Sequence, residues 1–134
     1  MNPKEYKYTR EHEWIYPEGE GKGRIGLTDY AQKQLGDLVY LDLPQAGTGV
    51  KQFKKMGEIE SVKAVADLFA PASGKILEIN QAAVDDPALV NQDPYNSGWL
   101  VVLELSIPSE LDGLMDSAKY DEFVAGLEAE ETEG

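Results

Sequence analysis

A chain of 134 residues with 12 basic and 25 acidic side chains, a net charge of −13 and no cysteine has the length of one domain with a modest core. Missing thiols rule out disulfides, thiolate metal sites and a cysteine nucleophile, and a single histidine, His12, rules out a multi-histidine metal centre. The charge disfavours nucleic acid and anionic bilayers, no apolar run is long enough to span a membrane, and no glycine-rich phosphate loop or nucleophile elbow is present.

The first segment, "MNPKEYKYTREHEW", has neither an apolar signal core nor an acid-poor, Arg/Ser-rich pattern, so a cytoplasmic location is expected. "EWIY" predicts a short strand over residues 13–16, stopped by Pro17 and the glycines at 19, 21 and 23, and "RIGL" a second over residues 24–27. Thr28 is an N-cap residue type followed by "DYAQKQL", two helical turns over residues 29–35, with Gly36 as the stop. "DLVYLDLP" is a strand ended by Pro44, in which Val39, Leu41 and Leu43 are expected to share one face. "QAGTGV" is a turn-rich connector.

"GEIESVKAVADLFAP", residues 57–71, reads as a hairpin with Val62 and Lys63 at its tip. Ser61 then faces Ala64, Ile59 faces Ala66, and Glu58 faces Asp67. One face carries Ile59, Ala64, Ala66 and Leu68; the other carries Glu58, Glu60 and Asp67 with Val65 and Phe69. A slip of one residue would bury the acids, which fixes the register. Lys63 stands alone at the outermost point.

"KILEI" is a strand over residues 75–79, "QAAVDDPALVNQDPYNSG" a loop with a helical turn near residues 87–90, and "WLVVLEL" a strong strand over residues 99–105. After Pro108, Leu111, Leu114 and Met115, then Tyr120, Phe123, Val124 and Leu127, recur at helical spacing. "GDLVYLDL" is weakly echoed by "GKILEIN", and "GEIE" by "GWLVVLEL", as two strand-turn-strand halves of a flattened barrel would be. The acids, including "EAEETEG" at residues 128–134, read as solvated surface and tail, and as a field that steers the protein to basic docking faces.

"ESVKA" at residues 60–64 and "APASGKILEIN" resemble a lipoyl-attachment segment. Together with "HEW", "IGLTDYAQKQLGDLVYLDLP", "DPALVNQDPY" and "GWL" in this order, nearly the whole chain is similar to the glycine cleavage system H-protein family. The resemblance implies a mainly β, barrel-sandwich hybrid fold (a lipoyl/biotinyl-like flattened β-barrel) with short helices and a C-terminal helix. One lipoyl-carrier domain would cover residues 1–134, with a core over about 6–106 and C-terminal helices over about 108–131. Lys63 would carry lipoic acid as an amide. A lysine amine is protonated at neutral pH, so a lipoate ligase or octanoyltransferase must attach it.

The family's role would make the chain a non-catalytic, monomeric carrier. Its arm would take an aminomethyl group from the glycine decarboxylase P-protein to the aminomethyltransferase T-protein, then be reoxidised by the dihydrolipoyl dehydrogenase L-protein. The family holds the loaded arm against its surface, and the residues expected to line that cleft are Glu13, Asp67 and Tyr30. Carboxylates suit a bound ammonium. Tyr30 stands where the resemblance leads one to expect a histidine. A biotinyl carrier domain shares the fold, but Val62 and Ala64 replace the methionines that usually bracket its lysine. A lipoyl relay donating lipoyl or octanoyl groups to other enzymes would use the same lysine. A free-standing hydrolase is disfavoured by the single histidine and the absence of a nucleophile motif.

Overall fold

The computed structural model describes residues 2–133, with the side chains of residues 131–133 of the acidic tail outside the description. Along the chain lie β1 (Lys7–Tyr8), β2 (Glu13–Gly19), β3 (Lys22–Leu27), α1 (Asp29–Leu35), β4 (Leu38–Asp42) and β5 (Gly49–Val50). Then come β6 (Lys55–Ser61), β7 (Val65–Phe69), β8 (Gly74–Ile79), α2 (Gln81–Asp85), α3 (Ala88–Gln92) and β9 (Val101–Leu105). A 3₁₀ turn (Pro108–Gly113) and α4 (Ser117–Glu133) follow.

The strands form two antiparallel sheets, one of six strands in the order β1-β2-β3-β9-β8-β5 and one of three in the order β4-β6-β7. The arrangement is a flattened sandwich rather than a closed barrel. Ile15, Ile25, Ile76 and Leu103 from the larger sheet meet Leu41, Ile59 and Leu68 from the smaller one in a single buried cluster. Each such side chain contributes roughly 1.5–3 kcal/mol of apolar burial. The strands that echo one another in sequence lie in different sheets: β4 pairs with β6 in the smaller sheet, and their echoes, β8 and β9, pair with each other in the larger one.

Two glycines set the tightest approaches between strands. A Cβ on Gly57 would stand 2.3 Å from the Asp42 carbonyl oxygen, and one on Gly74 would stand 1.9 Å from that of Glu104. Neither position accepts a side chain without moving its neighbour strand.

Sequence and structure part in several places, the unforeseen short strands β1 and β5 among them. β2 runs on past Pro17, which pairs with Gly23, because beyond Ile15 its outer edge has no strand to bond and a proline there breaks no ladder. A bulge between Leu38 and Tyr40 turns Val39 outward, 51% exposed, so Leu38 and Leu41 face the core instead. Ala64, expected on the core face, is exposed because the tip projects beyond the sandwich. The stretch expected as a loop with one helical turn near residues 87–90 has that turn as α3 and holds a second short helix, α2, with Ala83 and Val90 buried.

A second cluster, Tyr8, Trp14 and Tyr120 with Met115 and Phe123 beside them, fastens α4 to the outer strands. The backbone is stitched there as well, since Tyr8 and Met115 exchange both N–H···O bonds. Among the described residues, no helix is long and apolar enough to cross a membrane.

Candidate functional site

The hairpin forms in the register that its pattern demands, with Glu58 opposite Asp67, Ile59 opposite Ala66 and Glu60 opposite Val65. Ser61 organises the tip. Its Oγ accepts the N–H groups of Lys63 at 3.3 Å and Ala64 at 3.1 Å, and its own N–H donates to the Ala64 carbonyl at 2.8 Å. Short hydroxyl side chains close turns in this way. A tether from outside the hairpin, Val62 N–H to the Asp37 carbonyl at 3.0 Å, holds the tip against the chain after α1.

Lys63 is exposed at this tip. Its stem leans back over the end of α1, where a Cβ on Gly36 would stand 3.6 Å from Lys63 Cε. Gly36 has φ +80° and donates its N–H to the Gln32 carbonyl, closing the helix. At the other end of α1, Thr28 Oγ1 accepts the Ala31 N–H as the N-cap. The helix is therefore fixed at both ends.

Beside α1 lies a cleft of about 450 Å³, within the range of small-molecule sites. Leu27, Ala31, Leu35 and Ile59 supply apolar lining; Glu11, His12, Glu13, Tyr30, Gln34, Ala66, Asp67 and Phe69 complete it. Ala31 and Leu35 are four residues apart and so share one face of α1.

Glu13 is 2% exposed. Its carboxyl accepts the Thr9 hydroxyl at 2.5 Å and the Phe69 backbone N–H at 3.1 Å. Burial outweighs both bonds and pushes its pKa up to about 7. Asp67 is half-exposed and lies 3.2 Å from Lys55 Nζ, which also holds Glu58 at 2.6 Å. That lysine offsets the repulsion of two carboxylates placed directly opposite across strands. The His12 ring lies 4.6 Å from that of Tyr30, its Nδ1 is 2.7 Å from the Tyr120 hydroxyl, and burial holds its pKa below the usual value.

The structure thus brings Glu13, Asp67 and Tyr30 to one depression. Lys63 stands outside its lining, at the end of α1. Sequence reasoning missed His12, Leu27, Ile59, Ala66, Phe69 and the helix face of Ala31, Gln34 and Leu35. The helical spacing of Ala31 and Leu35, flanked by a cap at Thr28 and a stop at Gly36, carried a signal. Phe69, 56 residues from Glu13, carried none.

Comparison with known proteins points one way. The family model for the glycine cleavage H-protein matches residues 6–126. The glycine cleavage system H protein of Symbiobacterium thermophilum is 52% identical over 121 residues, spanning 90% of this chain and 94% of that protein. That of Anaeromyxobacter sp. strain K is 48% identical over 122 residues, spanning 91% and 94%. The crystal structure of a glycine cleavage system H protein from Mycobacterium marinum superposes with a TM-score of 0.82 at 43% identity, covering 89% of this chain and 95% of that one. On this similarity of sequence and fold, the chain belongs to the glycine cleavage H-protein family, the lipoyl carriers of the glycine cleavage system.

Proposed function

We propose that Lys63 is the lipoyl attachment site, that residues 1–134 act as one carrier domain, and that the cleft beside α1 shelters the loaded arm. The observation that carries this reading is the position of Lys63, exposed on a braced turn with Cε beside Gly36, at the end of the helix that lines the cleft.

The residues present fit a lipoyl group. Leu27, Ala31, Leu35 and Ile59 suit its acyl chain and ring, and Glu13 and Asp67 place carboxyl groups where a cationic cargo needs them. When attached, the group supplies a dithiolane that accepts an aminomethyl unit and is reoxidised after delivery. The chain's own part is physical. The turn at Ser61 presents the amine to an attaching enzyme on a fixed scaffold. The apolar wall keeps water from the cargo, and ionised Glu13 and Asp67 hold its positive charge. Glu13 is divided between neutral and ionised forms near neutrality, so a cation entering the cleft draws a proton from it.

In this reading the protein works in the cytoplasm as a monomer and performs no chemical step alone. Its partners are the P-, T- and L-proteins, with a lipoate ligase or octanoyltransferase as the loading enzyme. The test is intact and peptide mass spectrometry after incubation with lipoate ligase, ATP and lipoate. One lipoyl increment on the Lys63 peptide is expected. No increment, while another H-protein loads in parallel, would end the carrier reading for this chain.

A further inference from the structure

Tyr120 is fully buried on α4, 92 residues from Thr28 and 108 from His12, yet its hydroxyl meets both at once. The contacts are 2.7 Å to His12 Nδ1 and 2.7 Å to Thr28 Oγ1. Thr28 in turn accepts the Ala31 N–H at 3.2 Å. His12 and Ala31 both line the cleft.

Proton counting gives this chain of bonds a direction. Among the described residues, Thr28 Oγ1 has no acceptor other than the Tyr120 oxygen, so its proton goes there. The Tyr120 proton then goes to His12 Nδ1. Each hydroxyl accepts once and donates once, running Ala31 N–H to Thr28 to Tyr120 to Nδ1. The scheme requires His12 neutral with its proton on Nε2. Burial agrees on both counts, holding the imidazole below its usual pKa and pushing the phenol well above its own.

We propose that Tyr120 is a positioning residue for the arm cleft: its hydroxyl locks the His12 ring in place on the cleft and ties it to the first turn of α1. The C-terminal helix thereby shapes a site it does not line. Backbone bonds alone leave the ring free, since Thr28 N–H to the His12 carbonyl fixes only the main chain. The inference rests on the reading that this cleft shelters the loaded arm.

The test variant is Tyr120→Phe, which keeps the ring stacked on Tyr8 at 4.7 Å and removes only the hydroxyl. His12 is the one histidine in the chain, so its ¹⁵N signals report the clasp directly. In the wild type, Nδ1 is expected unprotonated at neutral pH. In Tyr120→Phe the imidazole is expected to mix tautomers. Lys63 is expected to take lipoate normally, and cargo loaded by the P-protein with glycine is expected to leave about fivefold faster, the size of one lost buried hydrogen bond. Thr28→Ser keeps the cap and the relay, and is expected to match the wild type. His12→Asn removes the ring from the cleft without removing a core side chain, and asparagine tolerates the left-handed φ of +69° at this position. It is expected to shorten the lifetime likewise, which keeps the idea testable if Tyr120→Phe folds poorly. Unchanged tautomers in Tyr120→Phe, or wild-type lifetimes in both variants, would overturn the proposal. Failure of the wild type to take lipoate would instead bring down the carrier reading, and this inference with it.

Discussion

Glu13, on the six-stranded sheet, accepts the backbone N–H of Phe69, on the three-stranded sheet, at 3.1 Å. One buried carboxyl therefore lines the cleft and joins the two layers of the sandwich. The joint stays made whether Glu13 is ionised or not, because either form retains an accepting oxygen.

That dual role gives a pH signature. The carboxyl titrates near 7 in the fold and near 4.5 when unfolded, so the folded protein binds more protons between these values. Its contribution to stability is full below about pH 4.5 and is lost as pH rises through 7, by about 3 kcal/mol. Glu13→Gln keeps both contacts with a neutral group, its Oε1 accepting the Phe69 N–H and its amide NH2 donating to Thr9 Oγ1 in place of the bond Thr9 now donates. It is expected to raise the thermal midpoint at pH 7.5 and to leave it unchanged at pH 4.5. Equal gains at both pH values would show that ionisation is not what burial opposes.

His12 works in the opposite sense. Its folded pKa lies below the usual value, so the unfolded chain binds the extra proton, and stability falls as pH drops below about 6.5 through the lower folded value. In the wild type, Glu13 masks this slope. Denaturant unfolding of Glu13→Gln between pH 7 and pH 5 should reveal it as a loss of stability towards acid. A flat profile in that variant would remove His12 from the account.

Lys63→Arg is expected to fold as the wild type does, since the side chain is exposed. It should take no lipoyl group, because a guanidinium does not form the amide. Peptide mass spectrometry checks this, and a loaded, active variant would refute the assignment of Lys63.

Asp67 is 48% exposed at its side chain and pairs with Lys55 across solvent, so Asp67→Asn should change stability by less than about 1 kcal/mol. Loading at Lys63 should persist while the charged cargo leaves the arm sooner. If the release rate does not change, Asp67 has no part in sheltering it.

Gly57→Ala tests the frame beneath the tip. The added methyl would overlap the Asp42 carbonyl oxygen at 2.3 Å and force β6 away from β4, at about 2–3 kcal/mol. Urea unfolding should show that loss. Wild-type stability would mean that the strands relax without resistance.

Much of this was legible in advance, for local reasons. Thr28, the "DYAQKQL" run and Gly36 delimit α1 to the residue, because cap and stop chemistry lies within a few positions. The hairpin register was equally forced, since only one alignment kept Glu58, Glu60 and Asp67 out of the core. Val39 misled because a bulge breaks period-two alternation without changing composition. β1 is two residues long and exists only because β2 and Met115 border it. The cleft was half legible: its carboxylates could be named, but its walls come from β3, α1, β6 and β7, which only the fold brings together. Helical spacing marked Tyr120 as a packing residue, but its bonds to His12 and Thr28 gave no sign, because nothing local says where a buried hydroxyl on a distant helix will point.

The bracing of the tip has a mechanical consequence. With the turn closed by Ser61 and tied at Val62 to Asp37, the pivot is a fixed point and the hinge is the lysine side chain itself. The volume swept by a group attached there is a sphere of constant radius about one Cα. Any enzyme that works on it must bring its active site to that sphere, since the backbone will not stretch to meet it.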